Sequence, residues 1–425
     1  MPKQINPLEL MMKLEKPLVD LLNIKMKYLL LIIAILSSCN LDINNESPIV
    51  EKVTVNDITL PKGFTISKLY EPTDHEQGSW VSFAKDDKGN FYASDQYGSI
   101  YKATIKKSTG RDSLHVKELN LNVGLAQGLL YHNNELFALV NSYDEKIKSG
   151  LYKVIDSNND GELDTVKTLK TVNGNGEHGP HSIELAPDKK SIYMVFGNHT
   201  DIPSDVHGRV PEVWDEDNLL PIIKDPSGHA NSRKAPGGWV AQTDFQGIDW
   251  TLIAVGTRNT FDIAFNRDNE LFGFDSDMEY DLGMPWYRPI RLNHITSGAD
   301  FGWRTGTGKF RDYYPDNLSG IVNLGQGSPT GLLDGTGLKF PAYYQNGLYL
   351  FDWSYGTMYH AKLNPKGSSF EAEVTEFISG VPLPLTNGLV GDDGALYFLT
   401  GGRRLDSGLY LSLIHISEPT RPSQI

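Results

Sequence analysis

Two short segments hold the side chains best suited to chemistry. Gly174-Asn-Gly-Glu-His-Gly-Pro-His181 sets two imidazoles, His178 and His181, beside the carboxylate of Glu177 on a glycine-rich stretch, where backbone freedom lets side chains converge on a ligand. A histidine of near-neutral pKa is a natural acceptor for the proton leaving an alcohol under oxidation; the competing reading is a pair of imidazoles bonded structurally to nearby backbone. Arg258-Asn259 puts a planar cation beside an amide, a pair suited to a carboxylate, a quinone oxygen or a sugar hydroxyl. Soon after come Asp275, Asp277, Glu279 and Asp281. In an extended segment their alternation places all four on one face, which favours a hard cation such as calcium, while a solvated acidic loop has the same composition. A third segment, Asp156-Ser-Asn-Asn-Asp-Gly-Glu-Leu-Asp164, carries oxygen donors at Asp156, Asn158 and Asp160 ahead of a glycine, with Asp164 to close the loop. Lys167 stands where an EF-hand needs its bidentate glutamate, so the expectation is a structural calcium loop on the surface or else a plain Asn/Asp turn.

Such side chains need a rigid frame, and the rest of the sequence supplies its pattern. A turn with Gly or Asn, an alternation of Leu with aromatics, a polar turn and a second short strand recur. Examples are Gly89–Tyr101, Asn134–Phe137 with Gly150–Tyr152, Lys190–Val195, Asn269–Phe272, Asn346–Trp353 with Met358-Tyr359, and Gly394–Leu399 with Gly408–Tyr410. Period-two alternation between glycine turns signals antiparallel strands, and repeats of roughly 40–60 residues built from them point to a β-propeller. At about 58 residues per unit, residues 56–410 predict six blades in an all-β ring. Asp201–Trp250, rich in Pro, Gly and Asp, is expected to form a long loop over one face. Loops at the strand ends are where function belongs.

Composition narrows the function classes. The chain has 425 residues, a net charge of −14 and a single cysteine, which excludes an intrachain disulfide framework and a thiolate metal cluster and argues against nucleic acid as a partner. That cysteine, Cys39, follows the apolar run Tyr28–Leu36 and the serines Ser37 and Ser38. The run is too short to span a bilayer but suits a signal peptide. Leu36-Ser-Ser-Cys39 resembles a bacterial lipobox. Residues 1–25 are then read as preceding a start at Met26, 26–38 as a lipoprotein signal peptide, Cys39 as the lipidated residue, and 39–55 as a tether. The lipid would be the only membrane attachment, holding the protein on the outer membrane of the cell envelope, periplasmic or surface-exposed. At the other end Leu411-Ser-Leu-Ile-His-Ile-Ser-Glu-Pro-Thr-Arg421 resembles a translated sequencing adapter, so 411–425 are read as foreign and His415 is given no role.

The order of these segments resembles the superfamily of soluble quinoprotein glucose and sorbosone dehydrogenases, six-bladed propellers that oxidise sugars with pyrroloquinoline quinone and calcium. His178 stands nine residues before Pro187, the spacing of that family's catalytic histidine ahead of its Pro-Asp turn, with Glu177 where the family has an acid. Arg258-Asn259, followed by Ala264-Phe265, matches the Arg-Asn pair that holds the quinone. Gly298–Trp303 resembles a later Asn-Tyr-Gly-Trp segment. More narrowly, Asp275–Pro289, Gly327–Thr330, Asp352–Gly356 and Gly401–Arg403 resemble large bacterial membrane-bound dehydrogenase propellers, many of which continue into a c-type cytochrome module. The resemblance implies a sugar or alcohol substrate, His178 as base with His181 as the alternative, and Arg258 polarising the acceptor. Electrons would pass to a quinone or to a cytochrome, in a C-terminal part or in trans. Where the quinone enzymes carry a lysine and a pair of arginines, this chain has Ser354, Pro384 and Thr386. Arg288, Arg291, Arg304, Arg403 and Arg404 are the cations available instead, and Arg288 and Arg403 join Glu177, Arg258 and Asn259 as expected cofactor contacts. The alternative is a non-catalytic propeller that binds a glycan or a protein and has lost the quinone site.

Overall fold

The computed structural model describes residues 51–106, 113–212, 214, 233–276, 278–281, 284–304 and 315–414, with only the backbone described for 278–281 and 284–287. Lipidation at Cys39 and the adapter-like tail from His415 onward lie outside these residues. Among the described residues no helix is long and apolar enough to cross a membrane.

Six sheets of four principal strands each form the ring, as the repeat predicts. The first blade is Trp80–Lys85, Phe91–Asp95, Ile100–Lys106 and Ser113–Glu118, and the second is Ala126–His132, Glu135–Val140, Gly150–Ile155 and Thr165–Thr171. Pro180–Leu185, Ile192–Phe196, Gly238–Thr243 and Thr251–Thr257 make the third. Asp262–Phe265, Leu271–Asp275, Ile290–Ile295 and Val322–Gly325 make the fourth, with the hairpin Met278–Asp281/Met284–Arg288 inserted between its second and third strands. The fifth is Pro329–Asp334, Leu348–Asp352, Thr357–Lys366 and Ser369–Gly380. In the sixth, Leu385–Val390, Leu396–Thr400 and Gly408–Ile414 are joined by Phe64–Tyr70 from near the start of the chain. This pairing of the two ends closes the circle, removing the open edge that a linear array would expose. Gly408–Ile414 continues past residue 410 and pairs Phe64 with Ile414. Lys52–Val55 and Ile58–Pro61 add a hairpin to the outside of the fifth blade.

The repeated Leu-aromatic strand is the second of each blade, and it is buried because neighbouring blades cover both its faces. Leu348–Asp352 and Leu396–Thr400 are buried throughout. Phe196 stacks on Trp239 at 3.9 Å between ring centres. Phe64 packs edge-on against Phe340, Tyr344 and Phe377, so aromatic packing seals the closing blade to the fifth. First strands of successive blades are neighbours around the axis, the sixth touching the first. They all run the same way, so the loops entering them and the turns between second and third strands share one end of the ring. Glu177 to His181, Arg258-Asn259, Ser354 and Arg403 all come from those loops.

Candidate functional site

Acceptors near the ends of the second strands fix these loops. In three blades the strand ends on an aspartate that turns back onto the loop entering its own first strand. Asp95 accepts from Ser79 N at 2.7 Å, and Asp352 from Ser328 N at 3.0 Å. Asp275, fully buried, accepts from Asn259 N at 2.9 Å, from Arg258 N and from Thr260 Oγ1, and pairs with Arg291 at 3.4 Å. Asp275 is committed to main-chain donors and to Arg291, because the end of a buried strand offers it unpaired N–H groups in place of solvent. Asp277 lies outside the described residues, as does the side chain of Glu279. Among the described residues no three His, Cys, Asp or Glu side chains group to hold a metal ion.

Blades two and three place an asparagine just past the strand end instead. Asn141 bonds Gly176 twice, accepting from its N at 2.8 Å and donating to its O at 2.7 Å. Gly179 needs to be glycine here, since a Cβ would lie 2.5 Å from the Asn141 amide. Asn198 Oδ1 accepts from His178 Nδ1 at 2.6 Å, and Asn198 N donates to Arg258 O at 2.9 Å. His181 Nε2 donates to Asn259 Oδ1 at 2.7 Å, and Asn259 Nδ2 donates to Glu177 O at 3.2 Å. The structure thus brings the two sequence clusters together, from loops of adjacent blades. Asn198 is the residue that sequence reasoning passed over as a role; its signal was an asparagine where other repeats end on aspartate.

Both imidazoles are buried, at 1% exposure each. Burial holds the His178 pKa well below the usual range, helped by the Arg258 charge and by His199, whose ring lies 4.6 Å away. Burial likewise lowers His181 to about 4. Each is therefore neutral at pH 7, and the same burial makes each a weaker proton acceptor than a free imidazole. The Nδ1–H bond to Asn198 makes Nε2 the basic nitrogen of His178. His181 Nδ1 and Asn198 Nδ2 are buried without a hydrogen-bond partner. Arg258 is buried too, its Nη1 donating to Ser276 Oγ at 2.9 Å.

Below this layer Asp262 joins four blades. Its carboxylate accepts from Ser182 Oγ, Ile263 N, Leu332 N and Asn387 Nδ2. Burial pushes its pKa up to about 6. Nothing in its local sequence marks it, since the partners come from distant strands. Asp262 also lines a cavity of about 410 Å³ together with Glu184, Asp334 and Lys85.

At the rim, Arg403 pairs with Glu177 and lies 5.2 Å over the Trp353 ring. Ser354 bonds Ser328 at 2.5 Å, and Thr386 is buried, donating to Trp80 O at 3.1 Å; neither brings a cation. Arg291 and Arg304 are engaged with Asp275 and Asp300. Arg288 ends the inserted hairpin at the same end of the ring, with Nε buried and unpartnered. Toward a planar, carboxylated quinone this end of the ring would present the Arg403 guanidinium stacked on Trp353, the Arg258 guanidinium and the buried donor Asn198 Nδ2, which has no partner.

In the Asp156–Asp164 loop the side chains are occupied by the loop itself. Asp156 accepts from Gly161 N at 2.7 Å and from Asp160 N, Asp160 from Glu162 N at 2.9 Å, and Asp164 from Ser157 N at 3.1 Å. Asn158 donates an amide N–H to Asp160, which completes an Asn/Asp turn.

No protein-family model matches this chain, and no curated protein matches it in sequence. Solved structures do. A glucose dehydrogenase-type oxidoreductase of Thermus thermophilus superposes at a TM-score of 0.58 and 18% identity, covering 83% of this chain and 100% of its own. The PQQ-bound aldose sugar dehydrogenase of Streptomyces coelicolor gives 0.54 and 15%, covering 83% and 99%. The apo soluble aldose sugar dehydrogenase of Escherichia coli gives 0.56 and 12%, covering 83% and 100%. This chain therefore has the six-bladed propeller fold of the soluble glucose and aldose sugar dehydrogenases.

Proposed function

We propose that this protein is a propeller dehydrogenase of the quinoprotein type that oxidises a sugar or a similar alcohol. The observation that carries the reading is the junction of two distant segments: His178 is held by Asn198, which bonds Arg258, while His181 is held by Asn259. His178, neutral and tautomerically fixed, takes the hydroxyl proton on Nε2. Arg258, anchored by Asp275 and Ser276, faces charge that grows on the acceptor. Arg403, Asn259 and Trp353 are the residues that would hold pyrroloquinoline quinone. Bound there, that group supplies a two-electron acceptor. Burial of the imidazoles keeps water from competing for the base.

The test is dye reduction by the full chain, supplied with the quinone and calcium, across a sugar panel. His178→Ala is expected to lower kcat/KM by about 10² or more, and His181→Ala by less than about ten-fold. The reverse ranking would make His181 the base. Neither quinone binding nor turnover would leave the second reading, a non-catalytic glycan- or protein-binding propeller, which the burial of His178 and the neutral Ser354 and Thr386 favour. The lipobox-like segment supports a lipid on Cys39 and an envelope location at the outer membrane, and the resemblance to membrane-bound dehydrogenase propellers supports electron delivery to a c-type cytochrome; labelling with a lipid precursor and its loss in Cys39→Ser tests the anchor.

A further inference from the structure

Gly401, Gly402, Arg403 and Arg404 have φ of 145°, 81°, 51° and 65°. Two consecutive arginines in the left-handed region are unfavourable and persist only where surrounding structure imposes them. Here it does. Trp353 Nε1 donates to Gly401 O at 2.6 Å, Gly402 N donates to Ser79 Oγ at 2.7 Å, Ser79 Oγ donates to Leu405 O at 2.7 Å, and Arg403 N donates to Gln96 Oε1 at 2.5 Å. The turn is thus built before any ligand arrives, and it aims two guanidiniums in different directions. Arg404 lies 5.1 Å over Tyr97 and lines a cavity shared with Glu76 and Asp95, an acidic setting that disfavours an anion. Arg403 lies over Trp353 and reaches across to the carboxylate of Glu177, the residue before His178. Both members of that pair are open to solvent, at 55% and 45% side-chain exposure.

We propose that Arg403 is the carboxylate-binding position of this site, and that Glu177 occupies it as an internal stand-in until a carboxylate on the ligand displaces it. The chemistry is a charge-assisted pair between guanidinium and carboxylate, stacked on an indole. An exposed pair of this kind favours its closed form by no more than about five-fold, so Glu177 competes without blocking entry. Its departure leaves a carboxylate free beside the proposed base. The carboxylate could belong to the quinone or to an acidic sugar. The inference rests on the site assigned above, but its readout is binding and not turnover.

Calorimetry on the full chain decides it, with pyrroloquinoline quinone in one arm, glucuronate in the other and glucose as the uncharged control. In the arm whose carboxylate is recognised, Glu177→Gln is expected to tighten binding about two- to five-fold and Arg403→Gln to weaken it about ten-fold or more. Arg404→Gln should stay within about two-fold, and the Glu177→Gln gain should vanish in the Arg403→Gln background. Arg403-dependent binding of the quinone alone assigns the clamp to the cofactor; of glucuronate alone, to the substrate. Circular dichroism checks that each variant is folded. Unchanged or weaker binding in Glu177→Gln, a gain that survives Arg403→Gln, or the lack of Arg403-dependent binding in both arms overturns the proposal. Intact carboxylate binding without dye reduction would instead remove only the oxidation reading.

Discussion

Replacing Asp275 by asparagine exchanges one buried oxygen for an NH₂ and leaves shape and volume nearly unchanged. In the native site both oxygens face donors: the main-chain N–H of Arg258 and Asn259, the Thr260 hydroxyl and the Arg291 guanidinium. Whichever way the amide turns, its NH₂ meets donors, and Arg291 loses a carboxylate in a fully buried place. Loss of one charge-assisted bond together with one donor left without an acceptor costs about 3 kcal/mol. With an unfolding entropy of about 2.1 cal/mol/K per residue, a ring of this length loses about 4 °C in Tm for that cost. Because the same carboxylate anchors Arg258-Asn259, a shift of about 1 Å there is expected to lower kcat/KM by about 10². Calorimetric melting of the wild type and Asp275→Asn, each with calcium and after chelation, measures the first effect. A variant that melts within about 1 °C of the wild type refutes the structural role. A difference present with calcium and erased by chelation refutes it differently, by showing that Asp275 acts through a metal ion.

Two pH-linked predictions follow from burial. His360 is fully buried among Tyr343, Tyr344 and Tyr349 with neither ring nitrogen bonded, and burial lowers its pKa to about 4. Its folded pKa lies below the unfolded value, so the folded state loses stability as pH falls from about 6.5 toward 4. His360→Phe should therefore raise Tm at pH 7 and raise it further at pH 5; equal shifts at the two pH values would show that His360 does not titrate in this window. Glu184, half-buried where it lines the cavity beside Asp262, behaves oppositely, because desolvation together with Asp262 and Asp334 raises it to about 8. Stability tied to its protonated form is present below about 4.5 and is lost as pH rises through 8, so Glu184→Gln should stabilise the ring at pH 8 and have little effect at pH 4.5, as read by urea midpoints.

Strand identity and blade number were legible because a blade's second strand must bury both faces. Leu-aromatic alternation between glycine turns is the direct trace of that burial, as in Leu348–Asp352. The meeting of His178 with Arg258-Asn259 was legible only through their resemblance to a known order of motifs; no local pattern dictates that two loops meet. The orientation of Asp275 was not legible for a related reason. The alternation of Asp275, Asp277, Glu279 and Asp281 predicts one shared face, but the hairpin Met278–Asp281/Met284–Arg288 begins after Ser276 and breaks the run. Asp275 belongs to the buried strand, where main-chain N–H groups and Arg291 surround its carboxylate. Closure by Phe64–Tyr70 depends on the pairing of distant strands, which period-two patterning cannot register.

The placement of the site follows from how the blades differ at one repeated position. Where the second strand ends on aspartate, as at Asp95, Asp275 and Asp352, the charge is neutralised by main-chain N–H groups and the loop becomes rigid scaffold. Where the strand ends on Val140 or Phe196, the acceptor moves one or two residues onward and is the neutral Asn141 or Asn198. Asn141 still serves main chain, but Asn198 reaches a side chain and sets the tautomer of His178. A carboxylate there would favour the protonated imidazole, whereas an amide leaves the ring neutral and basic on its other nitrogen. The sixth blade goes furthest: its strand ends on Thr400, and the Gly-Gly-Arg-Arg turn that follows sends Arg403 across to Glu177 of the third. The loops of the third and sixth blades, facing each other, thus bring Glu177, His178 and Arg403 to the end of the ring where Asp275 holds Arg258-Asn259 and where Trp353 follows Asp352.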